Sequence, residues 1–204
     1  MNPAREDIMR KLRTAVHQVP EKPDFDLPIY HSIDLPLELA FKDNLEKVNG
    51  FVYLFSSEEE LFSELKKFLS SYKKEVVFCN EDEISSQLKS FGIQFQQSSV
   101  LSDKIEVGIT GCEFLIAHTG SVMVSSAQKG GRQMFVYPPL HIVIAKKDQL
   151  VDYLEKAYSG ISERYAENLP SQIAIITGPS RTADIEKTLV LGAHGPRELR
   201  VYIA

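Results

Sequence analysis

The sequence predicts an α/β protein: a mostly parallel sheet with helices on both faces, a hairpin-rich central segment and a helical N-terminal extension. Three observations carry this. Between residues 51 and 92, strand-like apolar runs alternate with segments of helical periodicity, the pattern of a parallel sheet covered by its crossover helices. Between 105 and 146 the runs shorten and are broken by Gly111, Gly120, Gly130-Gly131 and Pro138-Pro139, which favours hairpins and tight connections. Before residue 37 there is one amphipathic stretch and a proline-rich one, so the domain organisation expected is an appendage over 1–36 and an α/β domain over 37–204.

The elements follow in order. Ile8, Met9, Leu12, Ala15, Val16 and Val19 recur at helical spacing, giving an amphipathic helix over 4–19. Four prolines between 20 and 36 forbid its continuation and read as an extended arm. A short helix at 37–48 precedes Phe51–Phe55, a strand of the fully buried type. Ser56-Ser57 followed by Glu58, Glu59 and Glu60 caps a helix whose Leu61, Phe62, Leu65, Phe68 and Leu69 face the core. Glu75–Phe78 is a strand, Asn80 caps a helix running to Phe91, and Gly92 stops it. Short strands are expected at 105–109, 114–117, 121–125, 133–136 and 141–145, and Tyr137-Pro138-Pro139 has room for a cis X-Pro bond. Lys147–Tyr158 returns to helix through Leu150, Val151, Leu154 and Ala157. Ile173–Ile176 is a buried strand that ends in a sharp turn opening a helix within 177–186, and Leu199–Ile203 closes the sheet.

Composition sets the outer limits. With 204 residues, 43% hydrophobic and 25% charged, the chain can fill the core of a soluble domain. A net charge of −5 argues against broad affinity for nucleic acid or anionic membrane. Ile142–Ala145 is strand-sized, far short of the roughly 18 residues of a membrane helix, so no membrane span is expected. Acids at Glu6 and Asp7, with no apolar signal core, point to the cytoplasm. Cys79 and Cys112 are the two cysteines; they cannot supply the four thiolates of an iron–sulfur cluster on this chain, and the sequence specifies no other cofactor. Cys79 ends an apolar run and reads as a core thiol, whereas Cys112 sits in a glycine turn. His118, His141 and His194 are too scattered to constitute a metal site.

The candidate ligand contacts lie in turns. Thr177-Gly178-Pro179-Ser180-Arg181-Thr182 joins a strand to an expected helix start, where backbone N–H groups and the helix dipole could hold a ligand above the sheet. Gly178, Ser180, Arg181 and Thr182 are the contacts there. Asp184 and Glu186 follow in the first turn and weaken the hold on a free dianion, so a hydroxyl-rich or carboxylate ligand is as well matched as phosphate. An ordinary capped helix reads equally well. Thr110-Gly111 and Thr119-Gly120 are two further turns where glycine lets a ligand approach the backbone. Glu113 beside the first is the candidate catalytic carboxylate, or else a solvated turn acid. His118 is a general-base candidate or an imidazole bonded to backbone. Arg132, after Gly130-Gly131, could close on an anion.

Taken together, Gly108-Ile109-Thr110-Gly111, Ala117-His118-Thr119-Gly120-Ser121, Pro138-Pro139-Leu140-His141-Ile142, and Thr177 through Glu186 to His194-Gly195-Pro196-Arg197-Glu198-Leu199 resemble the lactate-utilisation protein C family, the LUD domain. The resemblance covers roughly 40–204 and is strongest after 105. It implies the superfold shared by ribose-phosphate isomerase, glucosamine-phosphate deaminase and CoA-transferase, and a role in oxidising L-lactate to pyruvate with cysteine-rich iron–sulfur partner proteins. Two functions follow: a ligand-binding or accessory subunit of such a system, or an autonomous isomerase- or CoA-transferase-like enzyme on a phosphorylated or CoA-linked metabolite, with Glu113 beneath Ser180, Arg181 and Thr182.

Overall fold

Alternation decides the core. Most side chains along Leu140–Ala145 and Glu198–Ile203 are buried, because both strands lie inside a parallel sheet with cover on each side; Glu198 and Arg200 are the charged, half-buried pair at the start of the second. The computed structural model describes residues 3–15, 30, 32–98, 104–182, 190–192 and 194–204, in two units, Met1–Ser32 and Ile33–Ala204. The first holds helix α1 (Pro3–Thr14), with Ile8, Met9 and Leu12 exposed; residues 16–19 of the expected helix lie outside the described residues.

The larger unit runs α2 (Leu37–Lys47), β1 (Phe51–Leu54), α3 (Glu58–Leu69), β2 (Val77–Cys79), α4 (Asp82–Ser90), β3 (Val107–Thr110), β4 (Phe114–Ile116), β5 (Ser121–Ser125), α5 (Gly131–Met134), β6 (Leu140–Ala145), β7 (Leu150–Val151), α6 (Leu154–Tyr165), β8 (Ile173–Ile176), β9 (Arg181–Thr182), β10 (Val190–Leu191) and β11 (Glu198–Ile203). The fold is α/β. Its central sheet, in the order β1-β11-β6-β3-β2, is parallel throughout. A second sheet, β7-β4-β5-β8, is mixed, and β9 pairs with β10 as a small antiparallel ribbon.

One face of the parallel sheet buries Val107, Ile109 and Ile142 under Leu61, Phe62 and Leu65 of α3 and Leu88 of α4. The other buries Val143, Leu199, Val201 and Ile203 against Phe41 and Leu45 of α2 and Leu115, Val122 and Val124 of the mixed sheet. The far side of the mixed sheet packs Ile116 and Met123 on Ala157 and Ile161 of α6. At roughly 1.5–3 kcal/mol for each large apolar side chain buried, these three interfaces supply the main term holding the layers together. Ser57 caps α3 as expected, accepting from the Glu60 N–H at 3.3 Å while the Glu60 carboxylate takes the Ser56 N–H at 3.0 Å.

Several elements differ from the sequence expectation. β1 is an edge strand and not fully buried: Phe51 is exposed. Its Phe51 and Tyr53, with Phe68 of α3, surround Arg200, whose guanidinium sits 4.1 Å from the Phe68 ring, 5.1 Å from Phe51, and donates to Tyr53 Oη at 2.8 Å. Asn80 does not cap α4; its amide clasps the Ser98 backbone through both N–H and C=O, and Glu81 takes the N-cap position. Residues 133–136 finish a helical turn instead of a strand, because Met134 must turn inward where Gly108 leaves room for its carbonyl. Leu150 and Val151 leave the expected helix to pair with Leu115 and Ile116 along β4. β8 is the partly exposed edge of the mixed sheet, not a buried strand, and 181–182 pair as β9 where a helix start was expected. Among the described residues no peptide bond is cis, and no helix is long and apolar enough to cross a membrane.

Gly120, at φ +60°, has no room for a Cβ, which would fall on the backbone of Asn44 and Leu45 in α2. Gly120→Ala combines left-handed strain with this clash, so urea denaturation should show a loss of more than about 2 kcal/mol. An unchanged midpoint would mean that α2 does not dock there.

Candidate functional site

Five parallel strands end along one edge of the central sheet, and α3 and α4 begin there, so side chains following the strands converge on a crevice. That crevice is a cleft of about 160 Å³, small against the roughly 300–1,000 Å³ of drug-sized pockets. Leu61, Phe62, Ile84 and Ile144 floor it, Gly111 and Cys112 line it beyond β3, and Glu58, Glu81, Glu83 and Lys146 supply charge.

Of the three carboxylates lining the cleft, Glu81 is the least exposed. Its Oε1 accepts from the Gly111 N–H at 2.9 Å and from Gln128 Nε2 at 3.3 Å. Burial raises its pKa, the two hydrogen bonds oppose that, and the nearby Glu113 and Glu83 charges add to it. Glu58 and Glu83 are engaged elsewhere, Glu58 by Gln87 Nε2 at 3.0 Å and Glu83 by Lys146 Nζ at 2.7 Å. The contact with Glu83 is what raises the Lys146 pKa most.

From Glu81 a polar chain leads to the mixed sheet. Gln128 Oε1 accepts the Ser125 N–H at 3.0 Å, and Ser125 Oγ donates to Glu113 Oε1 at 2.6 Å. Tyr165 Oη donates to that oxygen at 2.7 Å, and Arg164 to the other at 2.5 Å. Arg164 also lies over the Phe114 ring, 4.9 Å from its centre. Glu113 is thus a buried acceptor of three donors that ties β4, β5 and α6 together. Burial, and then the bond to Glu113, raise the Tyr165 phenol.

Thr110, the last residue of β3, meets His141, the second residue of the adjacent β6, Oγ1 to Nε2 at 2.8 Å, and donates to the Gly111 carbonyl at 2.9 Å. With Thr110 donating to that carbonyl, Nε2 carries the imidazole proton and Nδ1 is left buried without a partner. Burial alone lowers the His141 pKa to about 3. Both thiols are buried: desolvation raises Cys79 to about 11 and pushes Cys112 up as well, so neither is an activated nucleophile.

The candidate contacts fall into separate places. Gly111 lines the cleft, Thr110 is buried beside it against His141, and Glu113 lies behind it, reached from Glu81 through Gln128 and Ser125. Thr119, Gly120, Gly178 and Arg181 gather around α2 instead. Gly178, at φ +81°, leaves space that a Cβ would take 2.6 Å from the Val48 carbonyl, and Arg181 donates to that carbonyl. Thr119, Ser121 and Thr177 form a short hydroxyl chain beside them, each contact 2.7 Å. The glycines expected to admit a ligand here admit a helix. Ser180 exchanges backbone hydrogen bonds with Pro196 and Gly192, and Thr182 pairs with Val190. Arg132 is exposed and donates to Ser171 at 2.9 Å. Asp184 and Glu186 lie outside the described residues. The His118 N–H is held by the Asp152 carbonyl, and among the described residues no three His, Cys, Asp or Glu side chains group as metal ligands.

The LUD domain family model matches residues 39–204. The chain belongs to the LUD domain family. Lactate utilization protein C of Bacillus subtilis is 38% identical over 97 residues, covering 47% of this chain and 40% of that protein. An uncharacterized protein of Neisseria meningitidis serogroup B is 38% identical over 96 residues, with the same coverage. The matched segment thus spans about two fifths of these relatives' length. A DUF162 family protein from Deinococcus radiodurans, solved as a crystal structure, superposes with a TM-score of 0.62 at 21% identity over 82% of this chain and 95% of that one, a likeness of fold.

In this LUD domain the residue that sequence reasoning missed is Glu81. Its signal was a run of acids directly after the apolar strand Val77–Cys79, at a strand's carboxyl end, overlooked because Asn80 was read as the cap. A half-buried carboxylate beside a cleft can bind a donor or transfer a proton.

Two outcomes follow. Glu113→Ala strands three donors and should cost about 2–4 kcal/mol in chemical denaturation, with Glu113→Gln costing less because an acceptor oxygen survives; a neutral Glu113→Ala would remove the carboxylate from the scaffold. For His141, the unfolded chain takes up a proton near pH 6.5 and the folded one only near 3. Between those values the unfolded state binds more protons, so stability falls as pH falls, with a slope approaching about 1.4 kcal/mol per pH unit. The difference between wild type and His141→Gln from pH 7 to 4 isolates that slope, and parallel curves would refute it.

Proposed function

We propose that this LUD domain serves L-lactate utilisation as a ligand-binding or accessory component, acting with cysteine-rich iron–sulfur partner proteins that carry the electrons when L-lactate is oxidised to pyruvate. The observation that carries the reading is the likeness to lactate utilization protein C, 38% identical over 97 residues, within a chain whose LUD domain match spans 39–204. The thiol chemistry agrees with it. Two cysteines, both buried and both with raised pKa, cannot ligate a cluster on this chain, so the redox centre belongs to a partner in this reading. The same reading takes residues 1–36 as an arm on a domain spanning 37–204 and sets the system in the cytoplasm.

An autonomous enzyme acting on a phosphorylated or CoA-linked metabolite is the second reading; Glu81 offers it a carboxylate at the cleft, while the acids around it disfavour a bare phosphate there. Here Glu81 replaces Glu113 as the reactive carboxylate, since Glu113 is occupied by three donors.

Deletion of the gene should abolish growth of its host on L-lactate and spare growth on pyruvate, and the tagged chain should co-purify with iron–sulfur proteins. Normal growth on L-lactate would overturn the first reading.

A further inference from the structure

We propose that the cleft at the carboxyl ends of the parallel strands binds a small alkylammonium ligand, an apolar body of a few carbons bearing a primary amine, with the Glu81 carboxylate as its counter-ion. Size is the first constraint. About 160 Å³ suits a compact molecule, and its floor of Leu61, Phe62, Ile84 and Ile144 offers hydrocarbon contact. One end of the cleft is polar. There Glu81 is fixed by the Gly111 N–H and the Gln128 amide, both on Oε1, which leaves Oε2 to meet a donor from the ligand.

The sign of the charge follows from what already has a partner. Lys146, the cation lining the cleft, is held by Glu83 at 2.7 Å, and Glu58 by Gln87 at 3.0 Å. The N-termini of α3 and α4 point their positive dipole ends here, but first-turn acids already answer them: Glu58, Glu59 and Glu60 on α3, Asp82 and Glu83 on α4. A free carboxylate or phosphate would therefore meet net repulsion, and an ammonium group net attraction. L-Lactate itself is excluded from this cleft by the same argument. The inference stands apart from the lactate reading, because growth on L-lactate tests that one and amine binding tests this one.

The experiment titrates the full chain with n-butylammonium chloride while following backbone amides by NMR, with L-lactate and pyruvate as parallel titrants. Saturable shifts are expected at Gly111, Ile84, Ala145 and Lys146, and none from the two anions. Glu81→Gln keeps an oxygen for the Gly111 N–H but loses the charge, and should weaken the amine at least roughly tenfold. The wild-type map decides the matter even if that variant fails to fold. Absence of saturable shifts at tens of millimolar amine, equal affinity in Glu81→Gln, or stronger binding of lactate or pyruvate at those amides would each overturn the proposal.

Discussion

The pairing of β6 with β11 is the constraint from which the rest of the larger unit follows. Six consecutive register pairs, Glu198 with Leu140 through Ile203 with Ala145, fix two strands that are buried on both faces. Their inward side chains offer α3 and α4 one apolar surface, and α2 with the mixed sheet the other. Because side chains alternate with period two, a slip of one residue would exchange these surfaces. Tyr202 would leave the layer of Leu88 and Ile109, and Val201 would leave that of Phe41 and Leu115. The pairing therefore fixes which layer sits on which side, and it sets the strand ends level enough to share one crevice.

Behind that crevice, polar groups join the layers where apolar packing cannot. The chain from Glu81 through Gln128 and Ser125 to Glu113 crosses from the parallel sheet to the mixed sheet and ends on α6. Such a network holds only when each member is satisfied, since an orphaned buried polar group costs more than its bond returns. Here Glu113 gathers three donors and Glu81 two, so the cleft wall is braced from behind. His141 is the exception among the described residues, with one nitrogen left without a partner.

Much of this was legible in the sequence. The strand–helix alternation of 51–92, the cap at Ser57 and the strands at 107–110, 121–125 and 140–145 follow from periodicity and local chemistry, which act over a few residues. The misread elements were decided by distant ones. Leu150 and Val151 carry a helical spacing, yet the open edge of β4 recruits them. Asn80 has the chemistry of a cap, but Ser98 offers both halves of its amide a backbone partner. The glycines at 120 and 178 announced a close approach without saying what approaches, and the answer is α2, far away in sequence. At the candidate cleft, the glycine turn of Gly111 was legible in the sequence, while Glu81 emerged only when the strand ends were brought together.

The position of β11 between β1 and β6 has a consequence for the order of assembly. Residues 51–54 and 140–145 are not neighbours in the sheet; they become parts of one sheet only when 198–203 arrives between them. Closing so long a loop is slow to be rewarded, and until then a nascent chain carries two unpaired parallel edges, one of them flanked by the aromatic rings that later enclose Arg200. A truncated chain ending before 198 would not be a smaller domain but a sheet with β1 cut away from β6, β3 and β2, and with adhesive edges facing solvent. Strand β11 thus works as a keystone, and the sheet stays in two pieces until it is set.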